Sequence, residues 1–116
     1  MEHEIIVYHN PRCSKSRQAL SFLDQKGLNY TIIDYLKNPV SEQELKLILK
    51  KLRINAASLI RKGEADFKQN FKGKNLSEEE WVLAMVNFPK LMERPIVIKG
   101  NQAVIARPDD RIETLL

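Results

Sequence analysis

A single cysteine, Cys13, is present among 116 residues. No internal disulfide can form, which fits a reducing compartment. A metal site built on clustered thiolates is excluded as well, because Cys13 has no partner thiol. His3 and His9 are the only imidazoles, and too few carboxylates gather near them to suggest a metal centre, so no metal is expected. No apolar run approaches the roughly 20 residues of a membrane span. The start, Met1-Glu2-His3-Glu4-Ile5, lacks the basic segment and long apolar stretch of a secretion signal. The expected location is therefore the cytoplasm, with no membrane partner. With four Gly and five Pro and neither repeat nor low-complexity tract, the composition does not belong to a disordered chain.

What is present is globular. Hydrophobic residues make up 43% and charged residues 29% of the chain, and the length points to one domain. The formal net charge is +4. Lys and Arg are interleaved with Asp and Glu instead of forming the basic strip of a nucleic-acid surface. No nucleic acid partner is expected; the pattern reads as a solvated mixed-charge surface, or as a few arginines converging on a small anion.

Ile5-Ile6-Val7-Tyr8 is a short apolar run ended by His9-Asn10-Pro11, which predicts a buried central strand. Ser14 to Lys26, with Ala19, Leu20, Phe22 and Leu23 apolar and Gly27 just beyond, predicts an amphipathic helix. The β-branched and aromatic segment Tyr30 to Tyr35 predicts a second strand, parallel to the first across a βαβ unit. Ser41 with Glu44, and Ser77 with Glu80, are capping-box pairs that open two further helices. A short helix is expected near Ala56 to Ile60, and a surface loop over 62–75. Trp81 and Met85 are expected in a core. Ile96-Val97-Ile98 and Ala103-Val104-Ile105 flank a turn and predict a hairpin. Asp109 or Asp110 is expected to cap a last helix ending at Leu115-Leu116. The expected fold is α/β: a four-stranded mixed sheet flanked by helices, with a helical insertion at about 40–90, between the second and third strands. A first helix that starts at a cysteine makes this order thioredoxin-like.

Cys13 falls at or beside the N-terminus of that first helix. Free backbone N–H groups and the positive end of the helix dipole favour a negative sulfur there, and Arg12, Lys15 and Arg17 add positive charge nearby. These effects lower a thiol pKa, and the thiolate is the nucleophile. The same N–H groups hold oxyanions. The alternative, a small buried hydrophobe, sits poorly in a loop of Pro, Arg, Ser and Lys. Cys-x-x-Cys is excluded because residue 16 is Ser, and a phosphatase-type loop because residue 19 is Ala.

Tyr8-His9-Asn10-Pro11-Arg12-Cys13-Ser14-Lys15-Ser16-Arg17, with Pro89-Lys90-Leu91-Met92-Glu93-Arg94-Pro95-Ile96-Val97, resembles the glutaredoxin-coupled arsenate reductase (ArsC-like) family. The likeness takes in the Tyr35-Leu36-x-x-Pro39 segment and Ala106-Arg107-Pro108, and thus nearly the whole chain. It is closest to a branch reading Cys-Ser-Lys-Ser-Arg, where better-known arsenate reductases carry Gly-Thr in place of Ser14-Lys15. The resemblance implies Cys13 as the catalytic thiol and Arg61, Arg94 and Arg107 as an oxyanion site. Guanidinium groups suit that task as planar, permanently charged, multi-donor partners. It implies a cis Pro95. Of the supporting residues His9, Ser16 and Arg17, His9 is placed to hydrogen-bond within the loop and tune the thiolate or to serve as a structural strand end, and Ser16 to donate to the sulfur or to cap the helix. The resemblance further implies arsenate or a similar oxyanion as substrate, no tightly bound cofactor, and glutathione and glutaredoxin as reducing partners. One cysteine cannot close a disulfide by itself, so a second thiol must come from another molecule.

Two other readings stay open at this stage. Spx-type regulators share the implied fold and bind RNA polymerase, but typically carry the Cys-x-x-Cys that Ser16 breaks. A monothiol glutaredoxin-like thiol transferase fits Cys13-Ser14-Lys15-Ser16 but has no use for three convergent arginines.

Overall fold

The computed structural model describes residues 4–116; Met1, Glu2 and His3, on which the reading of the N-terminal start rests, lie outside the described residues. The chain groups into two compact units. One holds the residues up to Asn38 together with Arg94–Leu116, and the other is Pro39–Glu93.

The first unit is built on β1 (Ile5–His9), α1 (Ser14–Gln25), β2 (Thr31–Asp34), β3 (Ile96–Lys99) and β4 (Gln102–Ile105). The sheet order is β2-β1-β3-β4. β1 runs parallel to β2, with His9 opposite Asp34, and antiparallel to β3, with Tyr8 opposite Ile96. The apolar run of β1 is thus central, as its composition predicts. Period-2 alternation sends Ile5 and Val7 to one face, where they meet Ala19 and Leu23 of α1, Val97 of β3, and Ile112 and Leu115 from the chain's end. β3 and β4 form the expected hairpin, whose turn uses Gly100 at φ +63°.

The second unit is helical among its described elements: α2 (Glu42–Leu52), α3 (Ala56–Leu59), α4 (Ala65–Asn70) and α5 (Glu78–Asn87). Both predicted capping boxes are formed, Ser41 with Glu44 and Ser77 with Glu80. The Glu78 carboxylate accepts from the Ala56 N–H at 2.9 and 3.0 Å, tying the start of α5 to the start of α3.

Two expectations need correction. The stretch 62–75 is not all loop, because α4 forms within it. Phe67 stacks on Trp81 at 6.2 Å, and Phe71 contacts both Trp81 and Phe88. Two aromatics one helical turn apart are enough when a partner is at hand, yet too few to show as periodicity. The last helix is a 3₁₀ helix, Asp109–Leu115, whose N-cap is Pro108; neither Asp109 nor Asp110 caps it. The buried residues Ile112 and Leu115 are three apart, the repeat at which side chains align in 3₁₀ geometry.

Candidate active site around Cys13

The segment between β1 and α1 is held by its own backbone and by two side chains. The Cys13 N–H donates to the Asn10 carbonyl at 2.9 Å. The Asn10 side-chain oxygen accepts from the Arg12 N–H at 3.0 Å, and the Asn10 N–H donates to Ser16 Oγ at 3.3 Å. Asn10 and Ser16 are both buried. Cys13 occupies the N-cap of α1 with extended backbone angles and makes no side-chain capping hydrogen bond. Its sulfur is therefore placed where the first N–H groups of the helix point outward.

Burial pushes the Cys13 thiol up. The Ser16 N–H, the Arg94 guanidinium and the Lys15 N–H outweigh burial and bring the thiol down from 9.0 to about 7. The source of the positive charge differs from the sequence-based expectation. Lys15 acts through its backbone, and the cation acting on the sulfur is Arg94. Arg12 and Arg17 are exposed, where solvent screens their charge, and Arg17 Nη1 donates to the Pro11 carbonyl at 2.9 Å. The Ser16 hydroxyl serves the loop by accepting from Asn10, while its N–H serves the sulfur.

Arg94 lies two residues before β3 and is buried, and the Arg94–Pro95 bond is cis, as the resemblance implies. The Ala106 N–H donates to the Pro95 carbonyl at 2.9 Å, continuing the β3–β4 ladder past Ile96 and Ile105. The next residues out, Arg94 and Arg107, therefore stand at the same end of the sheet as the Cys13 loop. Arg107 is half-buried and also precedes a cis proline, Pro108. Arg61 belongs to the second unit, just after α3, where its N–H donates to the Leu91 carbonyl at 2.7 Å. Its Nη1 is shielded from solvent without a hydrogen-bond partner.

His9 ends β1 and is buried, with Nδ1 unpartnered. Burial lowers its pKa, the facing Asp34 opposes that, and Arg17 adds to it. Two residues escaped the sequence reading as parts of the site. Asn10 organises the loop, and an Asn two residues before an Arg in a Pro-containing turn is the signal for such a bond. Tyr35 follows β2 directly and is 1% exposed. Its phenol, like the Cys13 sulfur, favours the charged form of Arg94. A separate concavity of about 600 Å³ opens at the far end of the sheet, beside Ile5, Tyr30, Thr31 and Lys99, and contains none of these groups. Among the described residues no three His, Cys, Asp or Glu cluster to hold a metal, and no helix is long and apolar enough to cross a membrane.

Fold and site together define a class: a thioredoxin-like domain with an activated thiol opening its first helix. The chain belongs to the ArsC family, whose model matches residues 8–115. It is 42% identical over 114 residues to YfgD, an uncharacterised protein of Escherichia coli K12, spanning 97% of this chain and 96% of that one. It is 40% identical over 114 residues to an arsenate reductase of Haemophilus influenzae, spanning 97% and 98%. The solved arsenate reductase from Vibrio cholerae superposes with a TM-score of 0.93 at 36% identity, over 100% of both chains.

Proposed function

We propose that this protein reduces arsenate to arsenite, with Cys13 as nucleophile and an external thiol as reductant. The observation that carries the reading is the Cys13 thiol brought to about 7 by Ser16 N–H, Arg94 and Lys15 N–H at the start of α1. A nucleophile near neutrality beside anion-binding groups suits attack on an oxyanion. The relatives named arsenate reductase in Haemophilus influenzae and Vibrio cholerae support the choice of substrate.

In this reading the Cys13 thiolate bonds to arsenic(V) and expels one oxygen as hydroxide, or as water when a proton is supplied. Arg94 and Arg107 balance the negative charge that develops on the remaining oxygens. Arg61 is the third arginine that the family resemblance assigns to the anion. A glutathione thiolate then attacks the Cys13 sulfur. A disulfide forms, the sulfur–arsenic bond breaks, and its electron pair stays on arsenic, which leaves as arsenite. Glutaredoxin takes the glutathione from Cys13 by thiol exchange and restores the thiolate. The protein acts without a tightly bound cofactor, as a soluble cytoplasmic enzyme.

The test is arsenate-dependent NADPH oxidation coupled through glutathione, glutaredoxin and glutathione reductase, with Cys13 confirmed as reduced. Turnover that needs all three components is expected, and no rate above background overturns the reading. Deglutathionylation of test proteins that is indifferent to Arg94→Gln and Arg107→Gln would instead identify a thiol transferase. Co-purification with RNA polymerase would identify an Spx-like regulator.

A further inference from the structure

Tyr35 has a buried polar group for which the proposed chemistry has no use. The residue stands at the very end of β2, one past Asp34, whose register partner is His9. On the other side of β1, Arg94 stands two residues before Ile96, whose partner is Tyr8. Counting outward from those pairs brings Tyr35, Asn10 and Arg94 to one row across β2, β1 and β3, with Asn10 in the middle. All three stand just past the ends of their strands, where the row sets their backbones side by side. The outer two are about two strand spacings apart, roughly 10 Å between backbones, a gap that a phenol and a guanidinium extended toward each other can close. The middle residue is the one whose carbonyl receives the Cys13 N–H.

Burial gives the row its consequence. Tyr35 is 1% and Arg94 is 8% exposed, so water is a poor substitute for either one's polar partners. An arginine side chain has four rotatable bonds, and one aimed at a sulfur needs a second contact to stop it from swinging away. Asp34, the carboxylate that ends β2, is committed to the turn that follows. Its side chain accepts from the Leu36 N–H at 3.1 Å, and its carbonyl accepts from the N–H groups of Lys37 and Asn38.

We infer that Tyr35 is a positioning residue, whose phenol holds the Arg94 guanidinium against the Cys13 sulfur from the far side of the Asn10 turn. In support, the phenol and the sulfur are both among the groups that favour charged Arg94. The inference rests on the reading of Cys13 and Arg94 as the reactive pair. Its readout is Cys13 alkylation, which needs no arsenate, so its failure is separate from a failure of the arsenate reading.

Tyr35→Phe keeps the ring and removes the hydroxyl. The rate of Cys13 alkylation by iodoacetamide is followed against pH in the whole protein, wild type, Tyr35→Phe, Arg94→Gln and the double variant, with thermal melts as the check on folding. The expected result is a Tyr35→Phe midpoint shifted to higher pH, part of the way to that of Arg94→Gln. In the double variant, loss of the hydroxyl should add nothing further. If turnover with arsenate is established, its KM should rise several-fold, with a smaller change in kcat. A folded Tyr35→Phe protein with the wild-type midpoint overturns the inference. So does an equal shift in the Arg94→Gln background. A Tyr35→Phe chain that fails to fold also overturns it, since the hydroxyl would then serve the fold and not Arg94.

Discussion

α1 begins very differently from α2 and α5. The latter two open with a serine whose hydroxyl accepts from the N–H three residues on, and with a glutamate that reaches back to the serine N–H. Their first turns carry Glu42 and Glu44, and Glu78, Glu79 and Glu80, the charge sign that the helix dipole favours. α1 opens with Cys13, makes no side-chain cap, and has no acidic residue in its first turn. Lys15 stands there, of the opposite sign to the residues that open α2 and α5. By the rules that stabilise helices, α2 and α5 are finished and α1 is left open. The N–H groups of Lys15 and Ser16 have no capping hydroxyl or carboxylate there, and they are among the groups that hold the sulfur of Cys13 toward its anionic form. A capped end satisfies its own donors, whereas the uncapped end of α1 turns them toward the Cys13 sulfur.

The sharpest way to break this comparison is to finish α1. Cys13→Ser puts the preferred cap residue at the N-cap. Arsenate turnover should fall to background, while the melting temperature below pH 7 holds or rises by a few degrees, in line with up to about 1 kcal/mol for a good cap. Residual turnover in the coupled assay would show that Cys13 is not the nucleophile. A large loss of stability would show that the cysteine is structural.

Removing the cation comes next. With the thiol at about 7, wild-type alkylation should climb through neutral pH. Arg94→Gln should move the midpoint up toward the ordinary 9.0 of a thiol and lower kcat/KM by about a hundredfold. The linked effect on stability has a definite sign. The folded-state value lies below the unfolded one, so the contribution is full above about pH 9 and is lost as pH falls through about 7. Wild type should therefore gain melting temperature relative to Cys13→Ser between those limits, and Arg94→Gln should gain less. Arg107→Gln separates anion binding from thiolate support. It should raise the KM for arsenate while moving the alkylation midpoint much less than Arg94→Gln does, since Arg94 is the leading cation on the sulfur. A midpoint that moved as far with Arg107→Gln would assign it the same task as Arg94.

How much of this is legible in the chain follows from how local each signal is. The capping boxes are four-residue patterns, and the chain spells out both. β1, β2 and the β3–β4 hairpin declare themselves through apolar runs and turn residues. Cys13 is conspicuous because its own neighbours, Pro11 to Arg17, spell out a loop entering a helix. What the sequence hides is whatever depends on pairing across the sheet. The charge near Cys13 is most naturally credited to Arg12, Lys15 and Arg17, which adjoin it in the chain, but the cation that acts is eighty-one positions further on, at Arg94. Tyr35 and Asn10 are silent for the same reason, since their roles come from register and not from spacing along the chain. α4 is missed because Phe67 and Phe71 make sense only beside Trp81.

The two finished helices supply the control. Ser41→Ala and Ser77→Ala each remove a hydroxyl that accepts from the N–H of Glu44 or Glu80, at 3.1 and 3.2 Å. Each should cost about 1 kcal/mol of stability in denaturant unfolding, with no change in the alkylation profile of Cys13. If either substitution shifts that profile, the helix ends are not independent devices.

The smallest effect is the most discriminating. Lys15→Glu gives α1 the acidic first turn that α2 and α5 already possess, without touching the backbone. The dipole should reward the carboxylate by about 0.3–1 kcal/mol, so the variant should melt at or slightly above wild type. The thiolate should be disfavoured only mildly, because Lys15 reaches the sulfur through its N–H and not through its ammonium. The alkylation midpoint should therefore rise by much less than in Arg94→Gln. An equal rise would mean that side-chain charge in the first turn governs the thiolate, and that the open N–H groups of α1 matter less than the charges beside them. A small rise together with a gain in stability would show that α1 forgoes the acidic turn of its counterparts for the sake of the anion it receives.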